Sequence, residues 1–221
     1  MSRALALSRA YPSRYGTPII RRVDPAIFTL RYFTHCLACT FCGDACCDHG
    51  VDVDLVHRDA ILARADRLEA FSGIPRDRWF TTRIERDEGY PGGGAVRTRV
   101  RNGHCVFLAR PGRGCRLHAF CLSEGLDYHD LKSLVDVLFP LTFADDLLCP
   151  AEELEDHSLI CGDQGPTAYQ GLRDELGYYF GSGLVAECDE FDAGIRAAGS
   201  GPDTGARRVP APHRARRRSA S

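Results

Sequence analysis

The residues best suited to chemistry are five cysteines that fall within twelve positions of the chain. They follow one another as Cys36-x2-Cys39-x2-Cys42-x3-Cys46-Cys47. A tetrahedral zinc or iron–sulfur site needs several soft thiolates within bonding distance of one centre. Two residues between cysteines let a tight turn direct both sulfurs at one ion, and Gly43 permits the backbone to curl there. So short a segment cannot bury five thiols separately, and its spacing therefore predicts a metal site.

The first four of these cysteines also have the spacing of the bacterial ferredoxin run. In ferredoxins a proline follows the fourth cysteine, whereas here Cys47 follows Cys46, and the chain holds no second copy of the run. An iron–sulfur cluster therefore stays open as an alternative to a site with bare zinc or iron ions.

A second group of possible ligands lies far along the chain. Cys105 opens the segment CVFLA, and Cys115-x2-His118-x2-Cys121 has a spacing that suits metal ligands. His118 is equally explained as a hydrogen-bonded surface histidine. Cys188 lies among acids in AECDEFD, which raise the pKa of a thiol and make it a poor nucleophile. We therefore expect Cys188 to be unligated.

The eleven cysteines are also compatible with a disulfide scaffold, which needs an oxidising compartment. The first residues contain only the short apolar stretch ALAL, too short for the core of a signal peptide. The chain has no apolar run of about eighteen residues, the least that a membrane-spanning helix requires. We therefore expect a cytoplasmic protein whose clustered cysteines bind metal, with disulfides and inert thiols as the alternatives.

Charge is distributed unevenly along the chain. Residues 1–23 carry five arginines and no acid, and residues 201–221 carry six arginines and one acid. Residues 24–200 carry 17 basic and 29 acidic residues, a net charge of −12. This acidic body repels phosphates, so nucleic acid is not an expected partner of the body. The basic tail remains a candidate contact for RNA or for a membrane surface.

These shifts in composition divide the chain into three parts. We predict a flexible basic arm over residues 1–23, a cysteine-cluster metal-binding domain over residues 24–196 and a disordered basic tail over residues 197–221. The tail consists mainly of Gly, Pro, Ser, Ala and Arg. Such a segment buries too little apolar surface to order itself.

The elements that must position the cysteines are a mixture of helices and short strands. Asp54 is suited to cap a helix that reaches about Phe71, and Gly73 is suited to end it. After the PGGGA turn, a hairpin is predicted across residues 101–104. Further helices are predicted over residues 118–124, from about Asp130, and over residues 167–180. The predicted fold is α+β: a small, irregular, cysteine-rich single domain that metal stabilises.

The order of these residues resembles that of the YkgJ-type cysteine-cluster family of zinc- or iron-chelating domains. The family pattern has a CxxCxxCC-like cluster, a helix, a Cys followed by "fL", a Cys before "iH" or "iY", and a Cys close before "FP". The similar pieces here are Cys39-Thr-Phe-Cys42-Gly-Asp-Ala-Cys46-Cys47, Cys105-Val-Phe-Leu108, Cys115-Arg-Leu-His118 and Leu138-Phe139-Pro140. The resemblance covers about residues 36–161 and implies chelation of zinc or iron.

This chain departs from the family pattern in two places. One extra residue separates Cys42 from the cysteine pair, and Asp136 stands where the family has a Cys four residues before the proline. A carboxylate can ligate zinc or iron, so a site with mixed ligands is one reading, and replacement by Cys121 or Cys149 is the other. The predicted ligands are Cys39, Cys42, Cys46, Cys47, Cys105, Cys115, Cys121 and Asp136. The predicted cofactor is zinc or iron, the latter also as an iron–sulfur cluster.

Three functional classes stay open. The first is a metal-binding protein with a storage, delivery or structural role. The second is an iron–sulfur redox protein or enzyme component; a tie to protein methylation belongs here, because flagellin methylases carry a similar cysteine cluster, although no SAM loop is recognisable. The third is a zinc-built interaction module with a protein partner. No GxSxG or HExxH motif occurs, so the sequence assigns no catalytic residue.

Overall fold

The structure is a computed structural model that describes residues 3–33, 39–110 and 112–199. These residues form seven α-helices and four small sheets, which confirms the predicted α+β class. No helix in these ranges is both long enough and apolar enough to cross a membrane.

The largest sheet has four strands and includes the beginning of the chain. Strand β1 (Leu5–Pro12) is antiparallel to β2 (Ile19–Val23). Strand β10 (Leu147–Pro150) runs parallel to β2 and pairs antiparallel with β9 (Leu141–Ala144). The order across the sheet is therefore β1, β2, β10, β9.

The predicted flexible arm over residues 1–23 is wrong for the two strands that this segment contains. Ile20 and Val23 are fully buried, whereas Arg21 and Arg22 are exposed. The Nε of Arg22 donates to Asp146 at 2.8 Å in the turn between β9 and β10. Backbone pairing with β1 and β10 and the burial of Ile20 and Val23 order β2, although its arginines are exposed.

The cysteine region lies beside three smaller sheets. Strands β4 (Asp52–Asp54), β5 (Phe80–Arg86) and β6 (Gly94–Thr98) form an antiparallel sheet with β6 in the centre. Strands β7 (Val100–Arg101) and β8 (His104–Cys105) form the hairpin predicted across residues 101–104.

The hairpin turn is formed by Asn102 and Gly103, which both have positive φ. Such a pair fits the tight two-residue turn that the twist of a hairpin favours. The remaining two-stranded sheet joins β3 (Arg31–Tyr32) to β11 (Gly162–Thr167).

The single helix predicted from Asp54 to about Phe71 is divided into two. Helix α1 (Leu55–Leu62) is capped by Asp54, whose carboxylate accepts from the backbone N–H of His57 at 3.0 Å. Helix α2 (Ala65–Ser72) begins after Arg64, whose backbone leaves the helical region at φ −109° and ψ 17°. Gly73 ends α2 in the left-handed conformation, as the sequence predicted.

The next two helices begin at positions other than those predicted. Helix α3 (Arg116–Glu124) starts two residues before the predicted position 118. The helix expected from Asp130 starts later, as α4 (Leu134–Leu138), because Ser133 provides the cap through its hydroxyl and the backbone N–H of Asp136. Asp130 instead ends a single 3-10 turn.

The last three helices are α5 (Glu152–Glu155), α6 (Ala168–Phe180) and α7 (Ser182–Gly199). Helix α6 confirms the helix predicted over residues 167–180, and Thr167 caps it. Helix α7 continues through residues 197–199, so the prediction of a disordered tail is wrong for those three residues. The rest of that tail, residues 200–221, lies outside the described residues.

Two apolar clusters hold these elements together. The first packs α6 and α7 against the four-stranded sheet and includes Cys39 and Cys42. The second packs α1, α2 and α3 around Trp79. Cys105 and Cys115 are half-buried and pack against the second cluster. The cysteines of the predicted site therefore touch both cores.

Candidate metal centre

The negative charge of Asp136 acts on cysteines from three segments of the chain. Burial first, and then the negative charge of Asp136, raise the pKa of the Cys115 thiol to about 11. Burial also raises the pKa of Cys105, and the charge of Asp136 acts in the same direction. Asp136 is therefore within electrostatic range of both thiols.

The charge of Asp136 also acts on the adjacent cysteines Cys46 and Cys47. The side-chain interaction with Cys46, then burial and the charges of Cys46, Asp136 and Cys115, raise the pKa of Cys47. The same interaction lowers the pKa of Cys46. The two thiols therefore titrate as a pair, in which the first proton leaves more easily than the second. We call Cys46, Cys47, Cys105, Cys115 and Asp136 the Asp136 group.

Each cysteine of the Asp136 group is held by a turn, a hairpin or a helix start. Cys46 and Cys47 lie in a 3-10 turn that follows Asp44, a residue with left-handed φ. Cys105 ends the β7–β8 hairpin, and Cys115 stands at the N-cap position of α3. Cys115 also forms an isolated bridge with Leu108, which ties the start of α3 to the chain that leaves the hairpin.

Asp136 lies in the first turn of α4. Its Oδ2 lies 3.5 Å from the Nζ of Lys132, one helical turn earlier in the chain. The positive charge of Lys132 also acts on Cys115, where it opposes the effects of burial and of Asp136. Cys46, Cys47, Cys105 and Cys115 are free thiols in the structure.

Cys39 and Cys42 form a separate group with an arginine. The Nη2 of Arg113 lies 3.7 Å from the Sγ of Cys42 and 2.9 Å from the Oδ1 of Asp44. Burial opposes ionisation of Cys39, but hydrogen bonds from Cys42, from two backbone N–H groups and from Arg113 lower its pKa. Burial, and then the hydrogen bond with Cys39, raise the pKa of Cys42. We call these four residues the Arg113 group.

The two groups are neighbours. The charge of Asp44, which pairs with Arg113, also raises the pKa of Cys46 against the stronger effect of its hydrogen bond with Cys47. Yet in the part of the chain that the structure describes, no three Cys, His, Asp or Glu side chains are arranged to hold a metal ion. The thiols and the carboxylate suit zinc or iron chemically, but to share an ion their donor atoms would have to lie closer together than they do in the structure.

The other predicted ligand, Cys121, has different surroundings. It is fully buried in the second apolar cluster. Burial first, and then the charge of Asp130, raise its pKa to about 11. Cys121 is therefore not part of the Asp136 group. His118, in contrast, is influenced by the charge of Asp136. Burial, and then the charge of Lys132, lower the pKa of His118, while the charge of Asp136 acts in the opposite direction.

The remaining cysteines lie elsewhere. Cys149 is in β10, and Cys161 and Cys188 are buried in the first apolar cluster. Burial, followed by the charges of Glu187 and Asp189, raises the pKa of Cys188 to about 12. Cys36 lies outside the described residues.

Sequence reasoning missed a network of histidines and carboxylates that connects α1 to α6. The buried His57 has its Nδ1 2.7 Å from Asp54 Oδ2 and its Nε2 3.1 Å from the carbonyl oxygen of His129. His129 in turn lies 2.6 Å from Asp127 Oδ1 and 2.7 Å from Glu175 Oε2. Only the helix-cap role of Asp54 was visible in the sequence, because the partners come from distant segments.

Comparison of the chain with family models, with curated proteins and with solved structures finds no match. The resemblance to the YkgJ-type family, and the chelation that it implies, therefore stay predictions from the residues.

Proposed function

We propose that the protein binds a zinc or iron ion through the Asp136 group. The proposal is supported by the clustered cysteines of the sequence and by the influence of one carboxylate on thiols from three separate segments of the chain. Thiolates with a carboxylate form a donor set that zinc and iron accept. A bound ion would supply charge neutralisation and a cross-link between segments.

Electrostatics favours a cation at the Asp136 group over one at the Arg113 group. The guanidinium of Arg113 offsets negative charge at Cys42 and Asp44. The Asp136 group combines four thiols and a carboxylate, and the ammonium of Lys132 lies 3.5 Å from that carboxylate. Ionising the thiols there gathers more negative charge than one lysine offsets, and a dication relieves the repulsion.

Such a site would also contribute to folding. Its residues come from the turn that follows the N-terminal cysteines, from the hairpin, from the start of α3 and from α4. An ion that joins them closes long loops, so its binding free energy becomes folding free energy. The thiols must stay reduced to bind, which suits the cytoplasmic location that we propose. We therefore infer a structural or carrier role for the metal.

The experiment that tests this function is anaerobic purification with elemental analysis and a visible spectrum. We expect zinc or iron at a constant ratio to protein, and a colourless solution if the metal is zinc. A brown protein with acid-labile sulfide would support the iron–sulfur alternative instead. Protein that contains neither metal and keeps its Tm in chelator would contradict metal binding altogether.

A further inference from the structure

A cavity of about 460 Å³ lies beside the hairpin and has a strongly basic lining. Four exposed arginines contribute to it: Arg78, Arg99, Arg101 and Arg110. No aspartate or glutamate is among the described residues that line it. The cavity is therefore a local positive region on a body whose net charge is −12.

The charges of these arginines are not offset by ion pairs with carboxylates in the described ranges. The Nε of Arg99 donates to the carbonyl of Phe80 at 2.7 Å, and the Nη2 of Arg110 donates to the carbonyl of Gly43 at 3.1 Å. Carbonyl contacts fix the position of a guanidinium but leave its full charge available. An anion in the cavity would meet charge-assisted hydrogen-bond donors.

The rest of the lining is mostly apolar. Ile74, Val100, Val106 and Leu108 contribute to it, and Val100 keeps 47% of its surface exposed. We call these four apolar side chains the apolar floor and the four arginines the cationic rim. Together they are complementary to a ligand that has an anionic head and an apolar body. A free inorganic anion would leave the floor wet, and a neutral hydrocarbon would leave the rim unused.

We propose that this cavity binds a small amphipathic anion, namely a carboxylate or phosphate monoester that carries an alkyl or aromatic group. Its head would lie among Arg78, Arg99, Arg101 and Arg110, and its body would cover the apolar floor. Cys105 also lines the cavity, so the ligand would lie beside the proposed metal site. The binding requires no metal and is independent of that proposal.

The test is a calorimetric titration of the full chain with hexyl phosphate, hexanoate, inorganic phosphate and hexanol. We expect one or both of the amphipathic anions to bind at least about tenfold more tightly than inorganic phosphate or hexanol, because each half-probe uses one part of the cavity. The comparison of hexyl phosphate with hexanoate identifies the preferred head. Trp79 supplies an independent readout, because it is the sole tryptophan and its carbonyl accepts from the N–H of Arg99 at 2.9 Å.

Two variants and a matched control locate the binding. Arg78→Ala and Arg101→Ala should each weaken binding of the preferred anion about threefold to tenfold, because each removes a charged hydrogen-bond donor. Neither side chain has a hydrogen-bond partner within the described residues, so these variants should leave the fold undisturbed. Arg21→Ala removes an exposed arginine from β2, on a different sheet, and should leave binding unchanged.

Three results would overturn the proposal. The first is that neither amphipathic anion binds, or that inorganic phosphate binds as tightly as they do. The second is that Arg78→Ala and Arg101→Ala bind like the Arg21→Ala control. The third is that a twelve-nucleotide single-stranded DNA binds more tightly than the small anions and loses affinity in the same variants, which would assign the cavity to nucleic acid.

Discussion

At the scale of single residues, the account depends on how charge is compensated around the cysteines. Arg113 supplies a cation to Cys42 and Asp44. Asp136 instead adds negative charge to a gathering of thiols. The neighbouring groups therefore differ in charge balance, which is why we propose the dication at the Asp136 group.

Replacing Asp136 tests its place among the ligands. Asp136→Ala removes a donor oxygen and should lower the metal content measured by elemental analysis, whereas Asp136→Cys supplies a softer donor and should keep or raise it. Asp174→Ala, at a fully exposed aspartate, is the control and should match wild type. Equal metal content in wild type and Asp136→Ala would remove Asp136 from the ligand set.

The sequence predicted these residues better than their arrangement. Cysteine spacing indicated that Cys46 and Cys47 join a site, and the family resemblance pointed to Asp136, but neither separated Cys42 from Cys46. That separation depends on Arg113, whose guanidinium reaches Cys42 from 71 positions along the chain. Local spacing contains no information about such a contact.

At the scale of elements, the sequence predicted structure with a local signal better than strands that pair with distant parts of the chain. Helix α6 and the hairpin were predicted because a stripe of apolar residues and a tight turn are local patterns. Strands β1 and β2 were missed because their buried residues do not alternate regularly with exposed ones, and because β2 pairs with β10, from the distant residues 147–150. The predicted start of α4 was wrong because Asp130 and Ser133 are both suitable caps in the sequence, and in the structure Ser133 is the cap.

The pairing of α6 with α7 leads to a pH prediction. Arg173 donates to Asp189 at 2.7 Å and 2.9 Å. Those hydrogen bonds, then one from Tyr169, lower the pKa of Asp189 from 3.8 to about 2. A lowered carboxyl pKa stabilises the folded state above the unfolded-state pKa, and that stabilisation is lost as the pH falls from 3.8 to about 2.

Thermal unfolding of Asp189→Asn measures this contribution. At pH 7 the variant should melt lower than wild type by at most about 3 °C, because the pair is largely exposed and screened. The difference should shrink toward zero as the pH approaches 2. Asp174→Asn, which changes a weaker partner of Arg173 at 3.8 Å, should show no such trend. A difference that stays constant with pH would contradict the assignment.

At the scale of the whole molecule, the described residues pack into two apolar clusters, and cysteines of the predicted site contact both of them. The N-terminal strand belongs to the first of these clusters. Tyr11 is 5% exposed, and Ser8 N–H donates to Glu187 of α7 at 2.8 Å. The beginning of the chain is thus fastened to the helix that is last among the described elements.

Two truncations compare the ends of the chain. Deleting residues 1–12 removes β1 and should lower the Tm by more than about 5 °C, because an apolar edge is exposed. Deleting residues 201–221 should change the Tm by less than about 2 °C, since that composition offers little apolar surface to bury. Differential scanning calorimetry measures both. Equal effects of the two deletions would contradict the packing of β1 and would support a loosely held basic arm over residues 1–23.

The central claim, that the Asp136 group binds a metal that also stabilises the fold, is tested most directly by the metal content and Tm of Cys115→Ser beside Cys188→Ser. Both cysteines are shielded by burial, but only Cys115 belongs to the Asp136 group. We expect Cys115→Ser to lose zinc or iron and to melt lower, and to gain little from added metal. Cys188→Ser should keep its metal content. Full metal content in Cys115→Ser, or equal loss in both variants, would contradict the account.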